Sequence, residues 1–385
     1  MKTILISLIS DQTIPNLLAI DNFQPDELLF LTTEAMEKKQ KFRAIMETLQ
    51  LLGRAYPDCA VQKLVVQEDS ILDCHHQLDR WIAGREGEDR YILNLTGGTK
   101  IMSIAAYEFF KDYGAKMLYI PIPKNEYIVP FPKKSSIRPE PLPLRLSVHQ
   151  YLTAYGLKVT NVLKLDKYRQ EAKVRSELAT AIVAGYDELK PLLQFLGDRL
   201  RPYRDFPEYL LMLDYEAKND RERDLLTRMV IDYDGRRINR KFTGHEIQFL
   251  TGGWLEEYCY NQTISLAGID DATIGIKLMN RQGGDNEYDV MFTRSNKLYF
   301  IECKSLDQND DKKTDALYKI GALQKEFGLR TESFLLTTSP HVLGKGGKLK
   351  ETVRARAEQF NTTVLIGSDV ANLAICLKER FQKND

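Results

Sequence analysis

The stretch Asn286–Lys304, NEYDVMFTRSNKLYFIECK, decides how this chain is read. Two apolar runs, Tyr288–Thr293 and Leu298–Cys303, flank the polar Arg294–Lys297, the pattern of a β-hairpin. A turn symmetric about Ser295-Asn296 sets Asp289 opposite Glu302. Strand residues alternate faces, so Glu302 and Lys304 share one side, with Ile301 and Cys303 on the other. The flanking VMF and LYFI suit a strand pair buried on both faces. Two carboxylates this close repel each other unless a cation lies between them. Mg²⁺ or Mn²⁺ takes oxygen ligands of this kind and keeps waters for reaction. A neighbouring lysine orients or deprotonates a water, or balances the charge of a phosphate. The plain alternative is a surface hairpin with solvated charges. Burial on both faces argues against it, because unpaired charge there is costly.

The spacing D-x(12)-E-x-K resembles the PD-(D/E)xK nuclease superfamily, with Asp289, Glu302 and Lys304 at its Asp, Glu and Lys positions. Tyr288 stands where that pattern often carries proline. Upstream, Gly252-Gly253 precede WLEEYCYN, a helix start that resembles the restriction-like helix bearing a further carboxylate. Glu256 is the first choice for that carboxylate and Glu257 the second. Consecutive helical residues lie about 100° apart, so both cannot face one ion. An exposed glutamate pair at a helix start, where negative charge is favoured, is the plain alternative. The resemblance implies Mg²⁺ or Mn²⁺ held by Asp289, Glu302, the Cys303 carbonyl and Glu256, with Lys304 beside the attacked phosphate.

Composition sets outer bounds. With 385 residues the chain is long enough for two or three domains. A formal net charge of zero confines any basic nucleic-acid surface to local patches. Cys59, Cys74, Cys259, Cys303 and Cys376 show no CxxC spacing. They suit neither a zinc site nor a disulfide framework, and they fit a reducing cytoplasm. MKTILISLIS reads as a first strand rather than a signal peptide.

Residues 1–132 alternate strand-like and helix-like pieces, as in a parallel, doubly wound Rossmann-type sheet. Strands are expected over Ile4–Ser10, Leu28–Thr32, Lys63–Gln67, Tyr91–Leu95 and Met117–Ile122, with one long helix over Met36–Leu52. Ligands of such folds bind at the carboxyl ends of strands. One such end, LNLTGGTK, runs through Thr96-Gly97-Gly98-Thr99-Lys100 straight into a helix, MSIAAY. Glycines allow close backbone approach, and a helix N-terminus favours an anion. A tight strand–helix turn needing two glycines is the plain reading of the same residues. Neither GxxxxGK[ST] nor GxGxxG is present. LNLTGGTK followed by MSIAAY resembles the signature of CARF domains, the ligand-sensing domains of CRISPR-associated proteins. That resemblance implies a cyclic oligoadenylate held across a two-fold dimer interface. Ser10 and Asp11 fall at its other ligand loop, and Thr33 is a further candidate. His75-His76 read as solvated or partly buried side chains rather than metal ligands.

Seven prolines crowd residues 121–143 around KKSS, which reads as linker, with a boundary between 130 and 145. Beyond it lies a mainly helical connector, compatible with a winged helix over 145–205. Toward the C-terminus, Thr314–Phe327 reads as a helix carrying Lys319, Gln324 and Lys325. HVLGKGGKLKETVRARA reads as a basic, glycine-rich loop, and Asp369–Phe381 as a last helix.

The expected fold is α/β. A Rossmann-like CARF sensor occupies 1–140, a mainly helical connector 141–240, and a restriction-endonuclease-like domain 241–385. The order of the two motifs resembles the CRISPR ancillary nucleases of type III systems. This implies a homodimer activated by cyclic tetra-adenylate that cleaves DNA, and RNA as well, with a divalent metal. Two other readings stay open: a CARF-type transcription regulator, and a ring nuclease that degrades the cyclic ligand.

Overall fold

The computed structural model describes residues 1–85, 88–132, 138–229, 232–279, 283–305, 317, 321 and 331–384. The chain divides into two compact units. The first comprises Met1–Thr160, Leu278–Gly284 and Thr293–Leu298, and the second Asn161–Lys277, Asp285–Phe292 and Tyr299–Asp385.

The first unit carries seven strands: β1 (Thr3–Leu8), β2 (Glu27–Thr32), β3 (Val61–Val65), β4 (Arg90–Asn94), β5 (Lys116–Tyr119), β6 (Glu126–Phe131) and β7 (Glu140–Pro141). Their order is β3-β2-β1-β4-β5-β6-β7. The first five run parallel, β6 pairs antiparallel with β5, and β7 antiparallel with β6. Consecutive residues Ile4, Leu5 and Ile6 are all fully buried, so both faces of β1 are covered. Leu8, Leu31, Leu93, Met102 and Phe110 join the same core.

Three expectations for this unit change. The single helix over Met36–Leu52 is two, Glu34–Lys38 and Lys41–Leu51, broken at Gln40, whose φ is 55°. Thr33 caps the first of them through its side chain, which accepts from Met36 N. The proline-rich segment is more than linker, since it contributes β6 and β7. β7 is the edge strand, where a missing amide costs little, and Pro130 of β6 falls at a register irregularity against β5. The unit then continues through the helix Val148–Ala154, opened by a Ser147/Gln150 capping box.

In the second unit the helices Val162–Val174, Ser176–Ala184 and Tyr186–Leu200 lead into β8 (Glu208–Asp214), β9 (Asp232–Tyr233) and β10 (Arg237–Thr243). These strands form an antiparallel sheet in the order β8-β10-β9, so the stretch read as a helical connector is partly β. The larger sheet holds β11 (Asp271–Met279), β12 (Asp285–Arg294), β13 (Lys297–Lys304), β14 (Glu332–Thr337) and β15 (Thr362–Ile366) in sequence order. β13, β14 and β15 run parallel. Trp254, Phe292, Tyr299, Phe334 and Phe381 fill the core around them. The last expected helix is two, Ser368–Ala371 and Leu373–Asn384. KKSS lies outside the described residues, as does the helix expected over Thr314–Phe327, with Lys319, Gln324 and Lys325, apart from Leu317 and Gly321. No helix among the described residues is long and apolar enough to cross a membrane.

Candidate active site

The hairpin of β12 and β13 turns at Ser295-Asn296, whose φ angles are 52° and 56°. Two left-handed residues in a two-residue loop make a type I′ turn, which matches the twist of the flanking strands. Counting back from this turn sets Phe292 opposite Tyr299, and their rings stack with centroids 5.0 Å apart and planes 5° apart. The same count sets Asp289 opposite Glu302. The backbone N–H of Cys303 donates to Asp289 Oδ2 at 2.7 Å, fixing that carboxylate over the neighbouring strand. Lys304 Nζ donates to Glu302 Oε1 at 2.7 Å and lies 3.9 Å from Asp289 Oδ2. The two carboxylates and the lysine therefore meet at one point. Asp289 and Glu302 are 9 % and 3 % exposed, so their charges are compensated locally rather than by water.

One cleft of about 460 Å³ in the second unit is lined by Asp289, Glu302 and Lys304 together with Glu256. Glu256 stands in the first turn of the helix Trp254–Ile264. A π-turn over Phe249–Gly253 precedes that helix, with Gly252 at φ 138°. A side chain at Gly252 would meet Ser305 Oγ at 2.6 Å, so the turn needs glycine there. Glu257, the alternative carboxylate, also lines the cleft but is held by Arg175, whose Nε donates to its two oxygens at 2.9 and 3.1 Å.

Electrostatics distinguish these groups further. Burial raises the Glu256 carboxyl to about 7, opposed by Arg204 and Lys304 and reinforced by Glu287 and Glu302. Burial also raises Glu257, against the pull of Arg175. Burial works against the charge on Lys304, but Glu302 and Asp289 outweigh it and hold the amine above its usual range. The Cys303 thiol is pushed well up by burial among core residues. It stays protonated at neutral pH, which leaves the backbone carbonyl as that residue's donor.

Among the described residues, no three His, Cys, Asp or Glu side chains are drawn together closely enough to hold a metal by themselves. Two facing carboxylates still fit a hard divalent ion, which commonly takes one or two carboxylates and completes its shell with water.

Arg175, Arg204 and His245 also line the cleft, and sequence reasoning gave none of them a place in the site. All three are far from the hairpin in sequence, and no local pattern marks them. The Arg175–Glu257 pair has a measurable consequence. Replacing Arg175 with methionine leaves a buried carboxylate without its cation. It is expected to cost roughly 3 kcal/mol, read as a lower Tm in a thermal melt. An unchanged melt would show the pair to be dispensable.

In the first unit the candidate ligand residues sit at the carboxyl ends of the parallel strands. Ser10 and Asp11 follow β1, Thr33 follows β2, and Thr96–Lys100 follow β4. Asp11 is paired with Lys39 at 2.8 Å. Thr96 Oγ1 donates to Asn94 Oδ1 at 2.7 Å and accepts from Ile120 N at 2.8 Å. Thr99 caps the helix Lys100–Asp112 and donates to Glu68 O at 2.7 Å. The hydroxyls of Thr33, Thr96 and Thr99 thus serve the fold. A Cβ at Gly97 would lie 2.0 Å from the Leu8 carbonyl oxygen, so the loop packs against β1 with no room for a side chain. Lys100 is exposed at the start of its helix.

Comparison with known families agrees with this division. Residues 4–151 match the Card1 CARF domain, and residues 244–384 match the Card1-like endonuclease domain. The chain thus carries a Card1-type CARF domain followed by a Card1-like endonuclease domain. Among solved structures, protein VC1899 from Vibrio cholerae aligns with a TM-score of 0.76 at 17 % identity, over 99 % of this chain and 98 % of that one. Can2 from Sulfobacillus thermosulfidooxidans, solved in complex with cyclic tetra-adenylate, aligns with a TM-score of 0.68 at 21 % identity, over 98 % of each chain. A type III CRISPR defence DNA nuclease activated by cyclic oligoadenylate aligns with a TM-score of 0.51 at 17 % identity, over 92 % of this chain and 51 % of that one. No curated protein matches the sequence.

Proposed function

We propose that this chain is a cyclic tetra-adenylate-activated, metal-dependent nuclease of type III CRISPR defence. In this reading it works as a cytoplasmic homodimer and cuts phosphodiester bonds in DNA, and in RNA as well. The observation that carries the proposal is the meeting of Asp289, Glu302 and Lys304 in one cleft.

Asp289, Glu302 and the Cys303 carbonyl would hold Mg²⁺ or Mn²⁺, with Glu256 on the cleft wall completing the acidic set. A bound ion of this kind supplies an acidified water and stabilises charge on the phosphate. Lys304 keeps its proton and places fixed positive charge beside both carboxylates, where a phosphate gathers negative charge during attack. Cys303 N–H holds Asp289 in one orientation. Arg204 adds an exposed cation on the cleft wall, suited to a backbone phosphate.

In the first unit, Ser10, Asp11, Thr33 and Thr96–Lys100 would face a cyclic ligand shared across a two-fold interface. Gly97 and Gly98 would bring backbone close to it, and Lys100 would meet a phosphate. Control of cleavage requires the ligand to favour one arrangement of the dimer over another. Lys100→Ala is expected to weaken cyclic tetra-adenylate binding about tenfold, the loss of one charge-assisted hydrogen bond, with no change in Tm. Calorimetric titration reads the affinity, and an unchanged value removes Lys100 from the ligand site.

The decisive assay incubates the protein with single-stranded DNA, with and without cyclic tetra-adenylate, in Mn²⁺ or EDTA. Cutting that needs both additions is the expected result. Retardation without cutting would favour a transcription regulator. Loss of the cyclic ligand without cutting would favour a ring nuclease.

A further inference from the structure

The hairpin that carries Asp289 and Glu302 does not lie wholly within the second unit. Its inner residues, Asp285–Phe292 and Tyr299 onward, belong there, but its tip, Thr293–Leu298, belongs to the first unit. The tip is tied within that unit by side-chain amides. Leu146 N donates to Asn296 Oδ1 at 2.8 Å. Asn296 Nδ2 donates to Leu144 O at 2.9 Å and to Asn125 Oδ1 at 2.7 Å. Asn125 Nδ2 returns a bond to Ser295 O at 2.8 Å, and Thr293 Oγ1 donates to Leu146 O at 2.7 Å. Asn296 is 7 % exposed and Thr293 fully buried, so water does not compete for these bonds.

Two further features matter. Asn125 closes the loop between β5 and β6, and Ile120, which opens that loop, donates its N–H to Thr96 Oγ1 of the candidate ligand loop. From Asn296 the strand β13 runs to Glu302 and Lys304, a span of roughly 20 Å at strand rise. Val290, Met291, Phe292, Phe300 and Ile301 are buried along it, so the strand pair is packed on both faces. Packed strands of fixed register transmit a shift rather than absorb it.

We propose that Asn296 is a positioning residue: its carboxamide fastens the tip of the catalytic hairpin within the sensing unit, so that ligand binding moves Asp289 and Glu302 through the strands themselves. The proposal rests on the reading of this chain as a ligand-activated nuclease. It adds the element that couples the two activities.

Asn296→Gly tests it. Glycine keeps the left-handed turn and removes only the carboxamide. Three quantities are measured on the full chain: cyclic tetra-adenylate affinity, Mn²⁺ affinity, and the rate of single-stranded DNA cleavage with and without saturating cyclic ligand. The expected result is a ratio of activated to basal cleavage reduced about tenfold or more, with both affinities within threefold of wild type. Asn296→Asp, which keeps the oxygen that accepts from Leu146 N, is expected to recover part of the ratio. Asn125→Ala removes the opposite side of the clip and is expected to reproduce the loss, including where Asn296→Gly folds poorly. An activation ratio equal to wild type in Asn296→Gly or in Asn125→Ala overturns the proposal alone. A wild-type protein that shows no ligand-dependent cleavage overturns the functional reading beneath it, and the proposal with it.

Discussion

The Glu302→Ala, Lys304→Ala double variant is expected to lose cleavage by on the order of 10³-fold or more, while keeping its fold and its affinity for the cyclic ligand. The size follows from removing one carboxylate of the proposed metal site and the neighbouring ammonium together. Retention of the fold follows from charge balance. Glu302 is 3 % exposed and bonded to Lys304 at 2.7 Å, so deleting the pair removes one negative and one positive charge at once. Deleting Lys304 alone would leave two buried carboxylates facing each other, which costs stability by itself. The Lys304→Ala variant should therefore melt at a lower temperature than the double variant in EDTA, and Mn²⁺ should recover part of the difference. Residual cutting by the double variant with activator and Mn²⁺ present would place the reaction elsewhere.

Gly97→Ala is expected to be nearly as severe in the sensing unit. The added Cβ would lie 2.0 Å from the Leu8 carbonyl oxygen and 3.1 Å from its carbon. Both are backbone atoms of the strand β1 end, so neither can swing aside as a flexible side chain would. Relief requires the loop to part from β1, which removes the close approach on which the proposed ligand loop depends. We expect a destabilisation of roughly 3 kcal/mol and loss of cyclic tetra-adenylate binding. Gly114→Ala is the natural control. At φ +65° it strains the backbone, but nothing lies within 4 Å of its added Cβ. It should cost only about 1 kcal/mol and leave binding intact. Thermal melts with calorimetric titration separate the two, and equal effects at both positions would contradict the packing argument.

The hairpin was legible in the sequence because a two-residue turn fixes register. Once Ser295-Asn296 is the turn, the partner of every residue from Asp289 to Glu302 follows by counting. The Phe292–Tyr299 stack lies where that count puts it. The Thr96–Lys100 loop was legible for a related reason, because strand, glycine pair and helix follow one another without a break. Other features depend on residues far apart in the chain. Both Glu256 and Glu257 line the cleft, but Glu257 is held by Arg175, which lies between two helices that the sequence does not place nearby. The proline count of residues 121–143 suggested linker, yet β6 and β7 form there, because β7 is an edge strand and Pro130 of β6 falls at a register irregularity against β5. The break at Gln40 gave no signal either, since glutamine rarely adopts a left-handed conformation. The sequence shows the hairpin tip only as a polar turn, and the positions of Asn125, Leu144 and Leu146 reveal that it is clipped in place.

In the proposed site Asp289 and Glu302 share one divalent ion. Mn²⁺ titration of the wild-type protein and of Asp289→Ala, followed by calorimetry in the absence of nucleic acid, addresses it without relying on turnover. Saturable binding to the wild type, lost in Asp289→Ala, is the expected result. Equal Mn²⁺ binding by the two proteins would contradict it.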